Sequence, residues 1–265
     1  MTNPLSAFRC VIIDVDGVLR RSQQVLPGAA EFLPWLLRRG MDYRIVTNNS
    51  MPTLAQYCAT FAEMGIVTDE QHIISAGTGT AWYLRQLAPQ GGKVFIIGQD
   101  GLLHALLSDG LFTLDDQKPD FVVVAIDRSF TYEKLNRACT LIRNGARFIA
   151  ANTDATYPME VGVMPGAGSI VAAVQTCAGV KPVVVGKPER ILFDMALDMM
   201  KARREETVVL GDRLDTDIAG GVAAGMASIM VLTGVNTRDD VESSPAKPTF
   251  IFDDLPALMK AWEQQ

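Results

Sequence analysis

Two aspartates one residue apart, Asp14 and Asp16, followed at once by Gly17, close the apolar run Cys10-Val11-Ile12-Ile13. A carboxylate placed like Asp14 can attack an electrophile or hold a hard cation, and one placed like Asp16 can trade a proton with a leaving group. Gly17 permits a positive φ or a close approach of backbone to ligand. Taken alone, the same residues make an ordinary turn. Three further segments, each ending an apolar run, shift the balance toward chemistry.

Thr47-Asn48-Asn49-Ser50 ends the run Tyr43-Arg44-Ile45-Val46 with a hydroxyl, two amides and backbone N–H groups just before a helical pattern, which is a good cradle for phosphate oxygens. Its plainer reading is a helix cap and turn. Gly186-Lys187-Pro188 sets one lysine after Pro182-Val183-Val184-Val185. That cation can hold a phosphate or steady a carboxylate nucleophile; a solvated lysine is the plain alternative. Gly211-Asp212-Arg213-Leu214-Asp215-Thr216-Asp217 is a second acidic strand end. Asp212 is suited to join Asp14 around Mg²⁺, and Asp217 to be a further ligand or a partner for Lys187. Asp215 reads as a helix cap.

These groups need a scaffold that brings strand ends together, and the chain has the means to build one. Its 265 residues, 48% of them hydrophobic, suffice for one large domain or two smaller ones with proper cores. No apolar run approaches the ~18 residues that span a bilayer. The start Met1-Thr2-Asn3-Pro4 lacks a leader-peptide layout, so a cytoplasmic protein is expected. A net charge of −6 with no basic block argues against nucleic acid or an anionic membrane as partner. Cys10, Cys58, Cys139 and Cys177 are widely spaced, which predicts reduced thiols in the core and no zinc site.

Strand and helix patterns alternate. Helices are expected from Pro27 to Gly40 and from Thr53 to Met64, each ended by glycine, and a strand at His72–Ala76 is followed by a helix to about Leu87. This is the rhythm of a parallel sheet. A second series of strands, at 93–98, 121–125 and 147–151, with helices over 102–107, 132–143 and 168–177, is too many to add to one sheet. The reading is therefore a first core part over 1–82, an inserted α/β domain over 83–181, and a second core part over 182–265. In the last part, strands are expected at 182–186, 207–210, 228–232 and 249–252.

The order of these motifs is similar to that of the haloacid-dehalogenase-like phosphatase superfamily. The stretches Asp14–Leu19, Val46–Ser50, Asn144–Ala150, Val185–Pro188 and Gly211–Ile218 together resemble its branch containing NagD, the 4-nitrophenyl phosphatases, pyridoxal phosphatase and phosphoglycolate phosphatase. The resemblance runs through nearly the whole chain. Glu189 departs from it, where relatives often carry a small residue. The implied fold is a Rossmann-like parallel-sheet α/β core with an inserted α/β cap that closes over the substrate.

The resemblance implies Asp14 as nucleophile and Asp16 as general acid and base. Mg²⁺ would be held by the Asp14 carboxylate, the Asp16 backbone carbonyl and Asp212, with Asp217 behind. Thr47, Asn48 and Lys187 would bind phosphoryl oxygens, with Asn49 in the same cradle. Asn152 and Asp154 match a cap loop that contacts substrate, although an Asx-turn explains them equally well. The expectation is a Mg²⁺-dependent phosphatase that forms an aspartyl-phosphate from a small phosphorylated metabolite. A phosphomutase or other phosphotransferase, a dehalogenase and a non-catalytic metabolite-binding protein are the alternatives. Asp16 speaks against the dehalogenase. Substrate identity and oligomeric state stay open, a homodimer included.

Overall fold

The computed structural model describes residues 4–158 and 162–264. Residues 1–3, part of the stretch that bears on a leader peptide, lie outside them. The chain forms two compact units: one takes the chain up to Thr47, Ala55–Ile74 and the chain from Lys187 onward, the other Asn48–Leu54 and Ser75–Gly186.

In the first unit the strand Cys10–Ile13 is buried at all four residues, as expected for a parallel strand covered on both faces, where no polar alternation survives. It pairs in parallel with Asp42–Thr47 on one side and Thr207–Gly211 on the other, and Ile13 is level with Ile45 and Leu210. The residues that follow these three strands therefore emerge side by side. The six-stranded order is Phe250–Phe252, Ala227–Val231, Thr207–Gly211, Cys10–Ile13, Asp42–Thr47, Ile73–Ser75. Helices Ala29–Arg38, Ile191–Met200 and Leu255–Glu263 belong to this unit. The last is capped by Asp254, which accepts the Ala257 N–H at 2.8 Å. A short hairpin, Arg20–Arg21 with Gln24–Val25, follows Asp16.

The second unit has its own five-stranded sheet, ordered Val183–Val184, Arg147–Ala150, Phe121–Val124, Gly92–Ile97, Phe112–Leu114, with every pairing parallel. Helices Tyr132–Arg143 and Ala167–Ala178 enclose an apolar cluster with it that includes Val122, Val124, Phe148 and Val174. Thr131 starts the first of them by accepting the Lys134 N–H. The run 182–186 does not resume the first unit as expected. Val183 pairs with Ile149 and Val184 with Ala150, so this strand completes the second sheet. An apolar run marks a strand but does not say which sheet edge it joins. Phe112–Leu114 and the hairpin Thr156–Pro158 with Val163–Pro165 are further strands that the apolar pattern did not disclose.

Among the described residues no helix is long and apolar enough to cross a membrane. All four cysteines are free.

Candidate active site

The strand ends of the first unit carry the acidic residues singled out by their spacing. Asp14 extends the ladder by one residue, its N–H donating to the Leu210 carbonyl at 2.9 Å. Lys187, 4% exposed, points its ammonium at Asp14 Oδ1 (2.5 Å), Asp217 Oδ1 (2.7 Å) and the Val46 carbonyl (3.1 Å). Asp217 is delivered by a short π-helical turn, Leu214–Ile218, of the kind that recurs at functional sites. Its Oδ2 accepts the Arg213 N–H at 3.1 Å. Asp215, on the same turn, points away to the Arg213 guanidinium, which donates at 3.0 and 2.7 Å.

Asp212 is fully buried. Its Oδ2 accepts the Val235 N–H at 2.7 Å, and among the described residues Oδ1 has no hydrogen-bond partner. Two glycines leave room for this carboxylate. A Cβ at Gly234 would stand 1.8 Å from Asp212 Oδ2, and one at Gly17 would stand 2.4 Å from it. Gly17 also sits at φ +92°, a conformation that side-chain-bearing residues avoid. Carboxylate oxygens of Asp14, Asp212 and Asp217 lie within 4.8 Å of one another.

The electrostatics follow from burial. Desolvation lifts the Asp14 carboxyl well above the usual carboxylate range; Lys187 pulls against this, while Asp217 and Asp212 add to it. Desolvation, then the charge of Asp217, pushes Asp212 up to about 7. Burial alone would depress Lys187, but the charges of Asp14 and Asp217 outweigh it and hold the ammonium above its ordinary value. With all three ionised, these clustered carboxylates around one ammonium would leave an excess of negative charge. A hard divalent cation with oxygen ligands answers both that excess and the bare Oδ1 of Asp212. The residues present fit Mg²⁺.

Asp16 is more open. Its carboxylate is 41% exposed and takes the Arg20 Nε at 3.2 Å. Thr47, 3% exposed, is the last residue of its strand. Glu189, the departure noted above, is exposed.

Asn48, Asn49, Asn152 and Asp154 belong to the second unit, where three of them form one network. Asn48 Nδ2 donates to Asp154 Oδ1 at 3.0 Å. Asn152, 4% exposed, donates Nδ2 to the Asn48 carbonyl at 2.7 Å, and its Oδ1 accepts the Asp154 N–H at 3.1 Å. That second bond is an Asx-turn, the plain reading allowed for this loop. Asn49 Oδ1 likewise accepts the Met51 N–H at 3.0 Å.

Sequence reasoning passed over Arg20 and the loop Thr233-Gly234-Val235. The loop touches the site through backbone: Val235 N–H binds Asp212, and the Thr233 hydroxyl donates to the Gly17 carbonyl at 2.6 Å. The glycine beside a threonine at the end of Ala227–Val231 was the only available sign.

Comparison with known proteins gives a consistent picture. The family model described as haloacid dehalogenase-like hydrolase matches residues 11–111, and the HAD-hydrolase-like model matches 184–258. An acid sugar phosphatase of Staphylococcus saprophyticus is 36% identical over 97% of this chain and 99% of its own length. The crystal structure of a 4-nitrophenylphosphatase from Thermotoga maritima superposes with a TM-score of 0.92 at 34% identity, covering 98% of this chain and 99% of that one. NagD from Escherichia coli K-12 gives 0.88 at 37%, covering 94% and 97%.

Proposed function

Since the chain belongs to the haloacid-dehalogenase-like hydrolases, we propose that it is a Mg²⁺-dependent phosphomonoesterase that cleaves a small phosphorylated metabolite through an aspartyl-phosphate on Asp14. The observation that carries this reading is the cluster formed by Asp14, Lys187, Asp212 and Asp217. In it one carboxylate lies against a fixed cation beside two more acids, and this supports reading Asp14 as the nucleophile.

Asp14 attacks phosphorus in line, while Asp16 gives its proton to the departing alkoxide. Water then attacks the aspartyl-phosphate as Asp16 takes a proton from it, releasing inorganic phosphate and restoring the Asp14 carboxylate and the protonated Asp16. Lys187 counters the desolvation that disfavours the Asp14 carboxylate and offsets repulsion between nucleophile and phosphate. Mg²⁺, held by Asp14, the Asp16 carbonyl and Asp212 with Asp217 behind, would supply further positive charge against the phosphoryl oxygens. Thr47 and Lys187 take phosphoryl oxygens in this reading, and Asn48 and Asn49 extend the cradle. Asp154 contributes to ester preference. Asn152 positions this loop without reading the ester, because its amide is committed to Asn48 and to its own turn. The free thiols suit the cytoplasmic setting we propose.

The test is release of inorganic phosphate from a panel of phosphate esters, with Mg²⁺ and with excess chelator, by the parent and Asp14→Asn. Turnover that needs both Mg²⁺ and Asp14 is the expected result. Hydrolysis by folded Asp14→Asn, or undiminished in chelator, overturns the mechanism.

A further inference from the structure

Cys139 and Cys177 meet inside the second unit, and the proposed reaction uses neither. Cys139 lies on the helix Tyr132–Arg143 and Cys177 in the last turn of the helix Ala167–Ala178, and both belong to the apolar cluster beneath these helices. The helices approach closely. The Cys139 thiol donates to the Val174 carbonyl at 3.7 Å, one turn before Cys177, and the Arg143 guanidinium, one turn after Cys139, donates to the Cys177 carbonyl. The two thiols also hydrogen-bond with each other.

Their surroundings differ, which orders the chemistry. Cys139 is 2% exposed, and desolvation, then the neighbouring Cys177 thiol, push it up to about 12, so it does not react first. Cys177 is half-buried, one residue before the end of its helix, and meets an oxidant ahead of its partner. With a hydroperoxide, the Cys177 sulfur takes up one oxygen as the O–O bond breaks, giving a sulfenic acid and releasing water or an alcohol. The Cys139 sulfur then attacks the Cys177 sulfur, the S–O bond breaks, and the oxygen leaves as water with the Cys139 proton. Two thiols thus give two electrons to one peroxide, and a thiol reductant returns them.

The helix Ala167–Ala178 gives such a bond its reach. Its 12 residues extend ~18 Å, with Cys177 near one end and the loop that holds Asp154 tied to the other. The Gly168 N–H donates to the Asp154 carbonyl at 2.9 Å, and the Gly166 N–H and Ser169 hydroxyl donate to the Ala155 carbonyl at 2.9 and 3.1 Å. The fit is tight: a Cβ at Gly168 would stand 2.3 Å from the Thr153 carbonyl oxygen. Fixing one end of the helix therefore limits the play of the loop at the other.

We infer that Cys139 and Cys177 are a site of reversible oxidation, closed to a disulfide by hydroperoxides and reopened by thiols, which clamps the helix Ala167–Ala178 and with it the Asp154 loop. Its effect on ester ranking rests on the phosphomonoesterase reading, whereas the bond and the clamp do not.

The experiment treats the whole protein with hydrogen peroxide and then with dithiothreitol, and Cys177→Ala in parallel. Peptide mapping without reductant should show Cys139 joined to Cys177, lighter by two hydrogens. Amide hydrogen exchange across residues 152–157 should slow by about threefold or more on oxidation. The ratio of kcat/KM between a sugar phosphate and 4-nitrophenyl phosphate should change by about threefold or more. Both changes should reverse with dithiothreitol and be missing in Cys177→Ala. Cys177 ending as a sulfinic acid, or linked to another cysteine or a second copy, overturns the inference. So does a Cys139–Cys177 bond that leaves either exchange or the ester ratio unaltered. If the reduced parent turns over no ester, the phosphatase reading falls, and the mapped bond and the exchange measurement decide this inference without it.

Discussion

Lys187 Nζ lies 2.5 Å from Asp14 Oδ1, so the proposed nucleophile is paired with a buried cation before any substrate arrives. The same ammonium holds Asp217 at 2.7 Å. Lys187→Met would leave two buried carboxylates without a counter-charge, and breaking such a pair typically costs ~3–5 kcal/mol. The variant should melt at a clearly lower temperature and lose at least ~10²-fold in kcat/KM. Calorimetry and phosphate release measure the two effects separately, and an unaltered melting temperature would show that the pairing is energetically idle.

Asp16→Asn tests the division of labour between the two aspartates. Loss of acid–base help typically costs ~10²–10⁴-fold. Mg²⁺ affinity should persist, because the proposed ligand at this position is a backbone carbonyl. Esters with good leaving groups should be spared in the first step, visible as a burst of alcohol release. An equal penalty for good and poor leaving groups would remove Asp16 from the role of leaving-group acid.

Gly234→Ala adds one methyl group where 1.8 Å separates the new Cβ from Asp212 Oδ2. The carboxylate must turn or the loop must retreat, and either change disturbs a proposed metal ligand through its supporting shell. Such disturbances commonly cost ~10–100-fold in metal affinity. The Mg²⁺ concentration for half-maximal activity should rise accordingly while circular dichroism stays native. An unchanged Mg²⁺ dependence refutes this account of Gly234.

Asp127 gives a pH signature that belongs to the second unit alone. Burial by itself would raise its carboxyl, but hydrogen bonds from Lys134 Nζ at 2.7 Å and from Ser129 outweigh burial and hold it below the ordinary carboxylate value. The folded pKa is thus depressed. The stabilisation is fully present above the unfolded value of ~3.9 and disappears as pH falls through the folded one. Asp127→Asn should lower the melting temperature at pH 7, and the gap from the parent should narrow below about pH 4. A gap independent of pH would mean that the ion pair contributes nothing.

Asn152→Ala should reduce kcat/KM by a similar factor for every ester, because both ends of its amide are committed within the second unit. Asp154→Ala should instead change the ranking of esters. Measuring both variants against one ester panel distinguishes positioning from reading, and an ester-dependent change in Asn152→Ala would return that residue to direct contact.

What could be read in advance was whatever local pattern encodes. The four buried residues Cys10–Ile13 announce a doubly covered strand, and Tyr132–Arg143 is a helix whose limits follow from its cap and periodicity. Charged residues ending apolar runs pointed to Asp14, Lys187, Asp212 and Asp217 before any coordinates. Sheet membership was not legible, as Val183–Val184 shows, because a two-residue strand carries no mark of its neighbour. The Val235 amide was hidden for another reason: a main-chain donor leaves no trace in residue type. Asn152 illustrates a third limit, since the same side chain serves equally for a turn and for a ligand.

Among the described residues Oδ1 of Asp212 has no hydrogen-bond partner, a cost in the interior of the fold that the proposed cation would relieve. Evolution under thermal selection alone would therefore erode the centre first. In a cation-free screen for heat resistance, neutral replacements at position 212 that keep an acceptor for the Val235 amide would be enriched as winners, although they abolish the proposed metal site. Stabilisation campaigns on this scaffold should be run with Mg²⁺ present, so that robustness and competence are rewarded together.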